Sequence, residues 1–119
     1  MTPMEIGVLS GLLEGEGSFR FQRRRGVIVQ FTTTDLDIAE REARHLGVNV
    51  WGPYRDKHRK RKPYWQVRVC SAHAVGLMLT VYKFLGARRR EQIRSSLAEW
   101  KKIAGVPTKI WRNAERKAA

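Results

Sequence analysis

At 119 residues with 42% hydrophobic side chains, the chain can bury the core of one domain and is too apolar for intrinsic disorder. Its 24 Lys and Arg against 11 Asp and Glu leave a formal charge of +13, the electrostatic footprint of a polyanionic partner. No apolar run approaches a membrane span, no signal-peptide pattern opens the chain, and the single cysteine, Cys70, excludes a disulfide framework or a zinc cluster within one copy.

Thr2-Pro3-Met4-Glu5 reads as a helix start, with Thr2 as N-cap, Pro3 in the first turn and Glu5 closing a capping box, so a first helix is expected from Pro3 to Glu14. Gly15 and Gly17 should then turn the chain into a strand over 18–24, with Phe19 and Phe21 facing the core and Arg20, Gln22 and Arg24 opposite. After an Arg25-Gly26 turn, residues 27–33 form a second strand, with Val27, Val29 and Phe31 on one face and Ile28, Gln30 and Thr32 on the other. Asp35 should cap a polar helix over 36–46 that ends at Gly47.

A second hairpin follows, from Val50 to Lys57, through a basic tip at 58–62, and back from Tyr64 to Cys70 with Tyr64, Gln66 and Arg68 alternating against Trp65, Val67 and Val69. Ser71 is expected to cap a helix over 72–85 with Val75, Leu77, Met78, Leu79, Val81 and Tyr82 as its apolar surface. A last helix over 88–104 carries Ile93, Leu97, Trp100 and Ile103 at core spacing. The order is αββαββα, an α+β fold in one domain over 1–105, followed by a polar, basic tail over 106–119. Residues 1–60 hold ten basic and eight acidic residues and residues 61–119 fourteen and three, so the positive field concentrates in the second half.

Gly7, Gly11 and Gly15 recur every four residues and form one bare stripe on the first helix, each costing about 1 kcal/mol of helix stability relative to alanine. Such a stripe lets another helix approach backbone to backbone, and if that helix is a second copy, the carboxylates of Glu14 and Glu16 converge near one axis. Mg²⁺ typically needs only one or two protein carboxylates, with water and phosphate completing its shell. The plainer alternative is a solvated helix-to-strand turn.

Taken in order, Leu9, Gly11, Leu12, Leu13, Glu14, Gly15, Glu16 and Gly17, extended by Ser18 and Phe19, resemble the signature of the LAGLIDADG homing endonucleases. Ser10 stands where that motif has alanine, and glutamates replace both its aspartates. The αββαββα layout extends the resemblance over nearly the whole chain. A single motif copy implies a homodimer, with Gly7, Gly11, Leu12, Glu14 and Gly15 in the interface.

The resemblance implies a saddle-shaped antiparallel sheet on double-stranded DNA. Arg20, Gln22, Arg24, Ile28, Gln30, Thr32, Tyr64, Gln66 and Arg68 are expected to face the bases, and a β-ribbon suits the major groove, where Arg reads guanine and Gln reads adenine. Arg55 and Lys57 are expected at base-contacting positions on the third strand. Arg23, Arg25, Arg59, Arg61, Arg89 and Arg90 are expected on phosphates, which position the protein without specifying sequence.

By the same resemblance Glu16 and the Gly15 carbonyl would hold Mg²⁺, and Arg88, with Arg90 the alternative, would match a lysine that supports the reaction electrostatically. Thr33 would stand where many relatives orient water with glutamine. The implied activity is a metal-dependent, staggered double-strand cut at a long pseudo-palindromic site, serving an intron or other mobile element. Alternatives are a non-cleaving binder of the same fold, acting on intron RNA or a DNA site, and a basic RNA-associated structural protein. A reducing interior compartment is expected, cytoplasmic or nucleoid-associated, with an organelle matrix also open.

Overall fold

The computed structural model describes residues 1–58 and 62–104. The expected tail over 106–119 lies outside them, as do Arg59 and Arg61. Helix α1 (Pro3–Glu16) leads into β1 (Gly17–Gln22) and β2 (Gly26–Thr33). Next come α2 (Leu36–Leu46), β3 (Val50–Tyr54), β4 (Tyr64–Cys70), α3 (Ser71–Val81), a short 3₁₀ turn over Tyr82–Phe84, and α4 (Ala87–Ala104).

The α1 start follows from its capping box. The Thr2 amide donates to Glu5 Oε2 at 2.8 Å and the Glu5 amide donates to Thr2 Oγ1 at 3.1 Å. The helix continues two residues beyond the expected end at Glu14, because Gly15 stays helical and the chain turns at Gly17. A Cβ at Gly17 would run into the carbonyl oxygen of Leu13, so glycine there permits the tight passage from helix to strand. The α2 helix ends as expected at Gly47, left-handed at φ +68°, which supplies the last-turn carbonyls with an amide.

The four strands form one antiparallel sheet in the order β1-β2-β4-β3. Phe19 pairs with Val29 and Val29 with Val69, so these alternate positions share the core-facing side, where Leu9 and Leu13 of α1, Ala39 and Ala43 of α2, Met78 of α3 and Ile93 of α4 pack against them. Burial of such side chains contributes about 1.5–3 kcal/mol each. No helix among the described residues is long and apolar enough to cross a membrane.

Several expectations fail for local reasons. Strand β1 stops at Gln22, which leaves Arg24 in the turn. Strand β3 stops at Tyr54, so Arg55 and Lys57 lie beyond it. Pro53 has no amide to donate, and the β3–β4 register shifts between Trp51 and Tyr54. Ser71 is the first residue of α3 and not its cap, at φ +59° with its hydroxyl donating to the Arg25 carbonyl at 3.2 Å. Leu79, expected as apolar packing surface, is 65% exposed, because α3 buries Ala74, Leu77, Met78 and Val81 instead.

Candidate nucleic-acid interface and acidic cleft

The side of the sheet away from the helices is built from β1, β2 and β4 residues out of phase with the core. Thr32 pairs with Gln66, Gln30 with Arg68 and Arg20 with Ile28, so the alternation expected from sequence puts Arg20, Gln30, Thr32, Tyr64, Gln66 and Arg68 on one face. Gln22 ends β1 at its exposed edge.

Ile28 shares that face but is fully buried, flanked across the sheet by Arg20 and Cys70. It supports its neighbours and presents nothing to a ligand. This corrects its expected DNA contact: a fully buried apolar side chain offers a ligand no surface.

Two aromatic residues on this face were missed from sequence. Trp51 pairs with Gln66 and Tyr54 with Tyr64, so three steps along β3 match two along β4, and the extra residue brings both aromatics to the same side. Trp51 is 52% exposed. The Tyr54 and Tyr64 rings stand 5.6 Å apart. The Trp-Gly-Pro-Tyr string was the available signal, since Pro inside a strand marks an irregular pairing.

Where α1 meets the end of the sheet, an open cleft of about 770 Å³ is lined by Glu16 and Leu12 from α1, by Thr32, Thr33 and Thr34 at the end of β2, and by Tyr64 and Gln66 from β4. Asp35, Asp56 and Lys62 complete its polar wall; the sequence reading gives Asp35 only as a helix cap, a hydrogen bond its side chain does not make, and Lys62 only as part of the basic hairpin tip. Their signal was positional: Asp35 follows the Thr32-Thr33-Thr34 run directly, while Asp56 and Lys62 flank the hairpin tip.

Glu16 makes no side-chain hydrogen bond or ion pair among the described residues, whereas Glu14, two residues earlier, is engaged within the chain. The Gly86 amide donates to Glu14 Oε2 at 3.2 Å, and Arg89 Nε donates to the Glu14 carbonyl at 3.1 Å. Residues two apart on a helix point to opposite sides, so Glu14 is held by the start of α4 while Glu16 enters the cleft. A Cβ at Gly86 would stand 2.7 Å from Glu14 Oε1, so a side chain there would displace the Glu14 carboxylate from this amide.

The basic start of α4 therefore differs from expectation. Arg89 is buried, satisfying a carbonyl in the last turn of α1 and donating to Gln92 at 3.1 Å, which removes it from the phosphate contacts. Arg90 is turned back onto the carbonyls of Tyr82 and Lys83 and over the Tyr82 ring. Arg88 is exposed but does not line the cleft with Glu16, because α4 docks on the Glu14 side of α1. Arg23 and Arg25 remain exposed in the β1–β2 turn.

The donor set fits a hard divalent cation of the shared kind. Among the described residues no three His, Cys, Asp or Glu gather as a closed cage. Glu16 offers a free carboxylate beside the terminal carbonyls of α1, which suits an ion completed by water and phosphate.

On α1 itself, Gly7, Gly11 and Gly15 are exposed, and a Cβ built on any of them would meet nothing within 4 Å. Met4 and Val8 on the same helix are 81% and 45% exposed.

Two αββ units, a four-stranded polar sheet face and an acidic helix end define a mixed α/β fold of the homing-endonuclease kind. Residues 3–76 match the LAGLIDADG-like domain, and the chain belongs to that family. In structure it is similar to the archaeal intron-encoded homing endonuclease I-Vdi141I complexed with DNA, at 19% identity and a TM-score of 0.54 over 76% of this chain and 63% of that one. It is also similar to the LAGLIDADG meganuclease I-AabMI bound to uncleaved DNA, at 20% identity and a TM-score of 0.59 over 92% of this chain and 41% of that one. The chain thus spans less than two thirds of either protein. No curated protein gives a significant match.

Proposed function

We propose that the protein is a site-specific, divalent-metal-dependent DNA endonuclease that acts as a homodimer on a pseudo-palindromic site. The observation that carries this reading is the Glu16 carboxylate, without a hydrogen-bond or ion-pair partner among the described residues, in a cleft that opens beside the polar sheet face. The sheet face binds the duplex, with Arg20, Gln30, Gln66 and Arg68 reaching the major groove and Trp51 and Tyr64 beside them. The bare glycine stripe of α1 supports pairing with a second copy, and identical subunits read half-sites in opposite orientation.

Glu16 and the Gly15 carbonyl would hold Mg²⁺. A bound divalent ion supplies an activated water and relieves charge on the scissile phosphate. Thr33, in the same cleft, offers a hydroxyl to orient water, and Lys62 offers positive charge to the phosphate. Spread of an intron or another mobile element is the biological role that fits such an activity.

Duplexes with randomised palindromic half-sites, incubated with Mg²⁺ and sequenced at their ends, test the reading. The wild type should give defined staggered ends and Glu16→Gln should lower the rate about a thousandfold, equivalent to roughly 4 kcal/mol of transition-state stabilisation. Equal cutting by both proteins overturns the role of Glu16. A non-cleaving binder of DNA or intron RNA is the second reading, favoured by the position of Arg88 outside the cleft. Enrichment of the same duplexes by both proteins without cutting would establish a DNA binder.

A further inference from the structure

At the centre of the polar sheet face the two glutamines are not free to read bases as glutamines ordinarily do. Gln30 Oε1 accepts from Arg20 Nη2 at 3.3 Å and from Arg68 Nε at 3.2 Å. An amide oxygen has two lone pairs, and both are occupied. Arg68 Nη2 also donates to Gln66 Oε1 at 3.3 Å, so a single guanidinium bridges the two amide carbonyls. Arg20 Nε is buried with no partner, and an arginine has no acceptor to contribute. The Arg20–Gln30–Arg68 part of this cluster therefore has N–H groups alone to offer, while Gln66 Oε1, with a single donor, keeps one lone pair.

In the major groove the four bases differ in donor and acceptor pattern. Guanine shows two acceptors, N7 and O6, whereas adenine pairs its N7 acceptor with an N6 donor, cytosine shows a donor and thymine one acceptor beside a methyl group. A glutamine reads adenine only when its carbonyl can accept from N6 while its amide nitrogen donates to N7. Gln30 has lost that option. Gln22, at the edge of β1, has no side-chain hydrogen bond among the described residues and keeps both ends of its amide.

We propose that the Arg20–Gln30–Arg68 cluster is a donor-only reader that specifies guanine, on either strand, at the half-site positions it faces, and that Arg68 determines this preference by completing the occupation of the Gln30 carbonyl and engaging that of Gln66. The inference rests on the reading of the sheet as a DNA-binding surface and does not depend on cleavage.

Selection of bound duplexes from a randomised pool, without divalent metal so that no strand is cut, is the test. The wild type should favour guanine over adenine by roughly tenfold at the positions that respond to Arg68→Met. Arg68→Met frees Gln66 and one lone pair of Gln30, and Arg20→Met combined with Arg68→Met frees both amides, so preference at those positions should move stepwise toward adenine.

Circular dichroism establishes that each variant is folded, and Arg68→Lys is a second probe because an ammonium keeps the charge but cannot bridge two amides. Enrichment of adenine by the wild type at those positions, or guanine preference unchanged in the folded double variant, overturns the inference while leaving DNA binding intact. Absence of any enriched sequence overturns the site-specific reading itself, and this inference with it.

Discussion

The two αββ units share a topology and differ in what their helices do. Helix α2 buries Ala39, Ala43 and Leu46 against the core and has its one buried carboxylate, Glu42, within 2.8 Å of Arg41 Nε. Helix α1 buries Leu9, Ser10 and Leu13 on one side but leaves Gly7, Gly11 and Gly15 exposed on another, and Glu16 at its end has no side-chain partner among the described residues. The second helix keeps its buried carboxylate beside Arg41 and His45, although Glu42 Oε2 and His45 Nδ1 lack a hydrogen-bond partner among the described residues, while the first leaves a face and a carboxylate open to solvent. On the proposed function a repeated fold unit divides support from function, and the residues that mark the functional copy are those the protomer itself leaves exposed.

After the loss of cutting expected for Glu16→Gln, the largest effect comes from filling the bare stripe. Nothing in the protomer lies within 4 Å of a Cβ at Gly11, so Gly11→Ala should stabilise an isolated protomer by about 1 kcal/mol through helix propensity. Gly11→Leu should leave the protomer folded yet weaken dimerisation on the order of a hundredfold, because the overpacking recurs on both sides of a two-fold axis. Sedimentation equilibrium across concentration measures this. A wild type that stays monomeric at every concentration would break the contrast between the helices.

A smaller effect separates two adjacent arginines that look alike in sequence. Arg89 is buried and ties α4 to the last turn of α1, whereas Arg88 beside it is exposed. Arg89→Met keeps the packed stem but leaves the Glu14 carbonyl without its cationic donor, and should cost about 1.5–3 kcal/mol in urea unfolding. Arg88→Met should change stability by less than about 0.5 kcal/mol. Equal losses would mean that the start of α4 does not hold α1 in this way.

How far each feature could be read in advance follows from the range of the forces that make it. The capping box of Thr2 and Glu5, the alternation of β2 and β4, and the left-handed cap at Gly47 are local, and each is where the residues put it. The burial of Ile28 and Arg89 is not local. One depends on side chains across three strands and the other on a helix end 75 residues away, so an alternating strand and a basic helix start were read as uniformly exposed. The separation of Glu14 from Glu16 was in principle legible, since it needs only that the helix persist through Gly15, but two glycines around Glu16 suggested an earlier stop. The motif string pointed to the acidic helix end, while Asp35, Asp56 and Lys62 reach the same cleft through tertiary packing that no short pattern encodes.

The smallest effect concerns the other end of α1. The Thr2 backbone amide, chiefly, holds the Glu5 carboxyl below its ordinary value near 4.5, with His45 and the chain's amino terminus adding to it against slight desolvation. A carboxyl whose folded pKa is depressed contributes stability that is full above its unfolded value and disappears as pH falls through the lower folded one. Stability of the wild type relative to Glu5→Gln should therefore be constant above about pH 5 and decline below the ordinary carboxylate value near 4.5. Because Glu5 is solvent-accessible, the decline should also shrink as salt is added. Urea titrations of both proteins between pH 3 and pH 7 measure the difference. A gap that instead widens toward acid would show that Glu5 opposes the helix start and that the box is held by Thr2 alone.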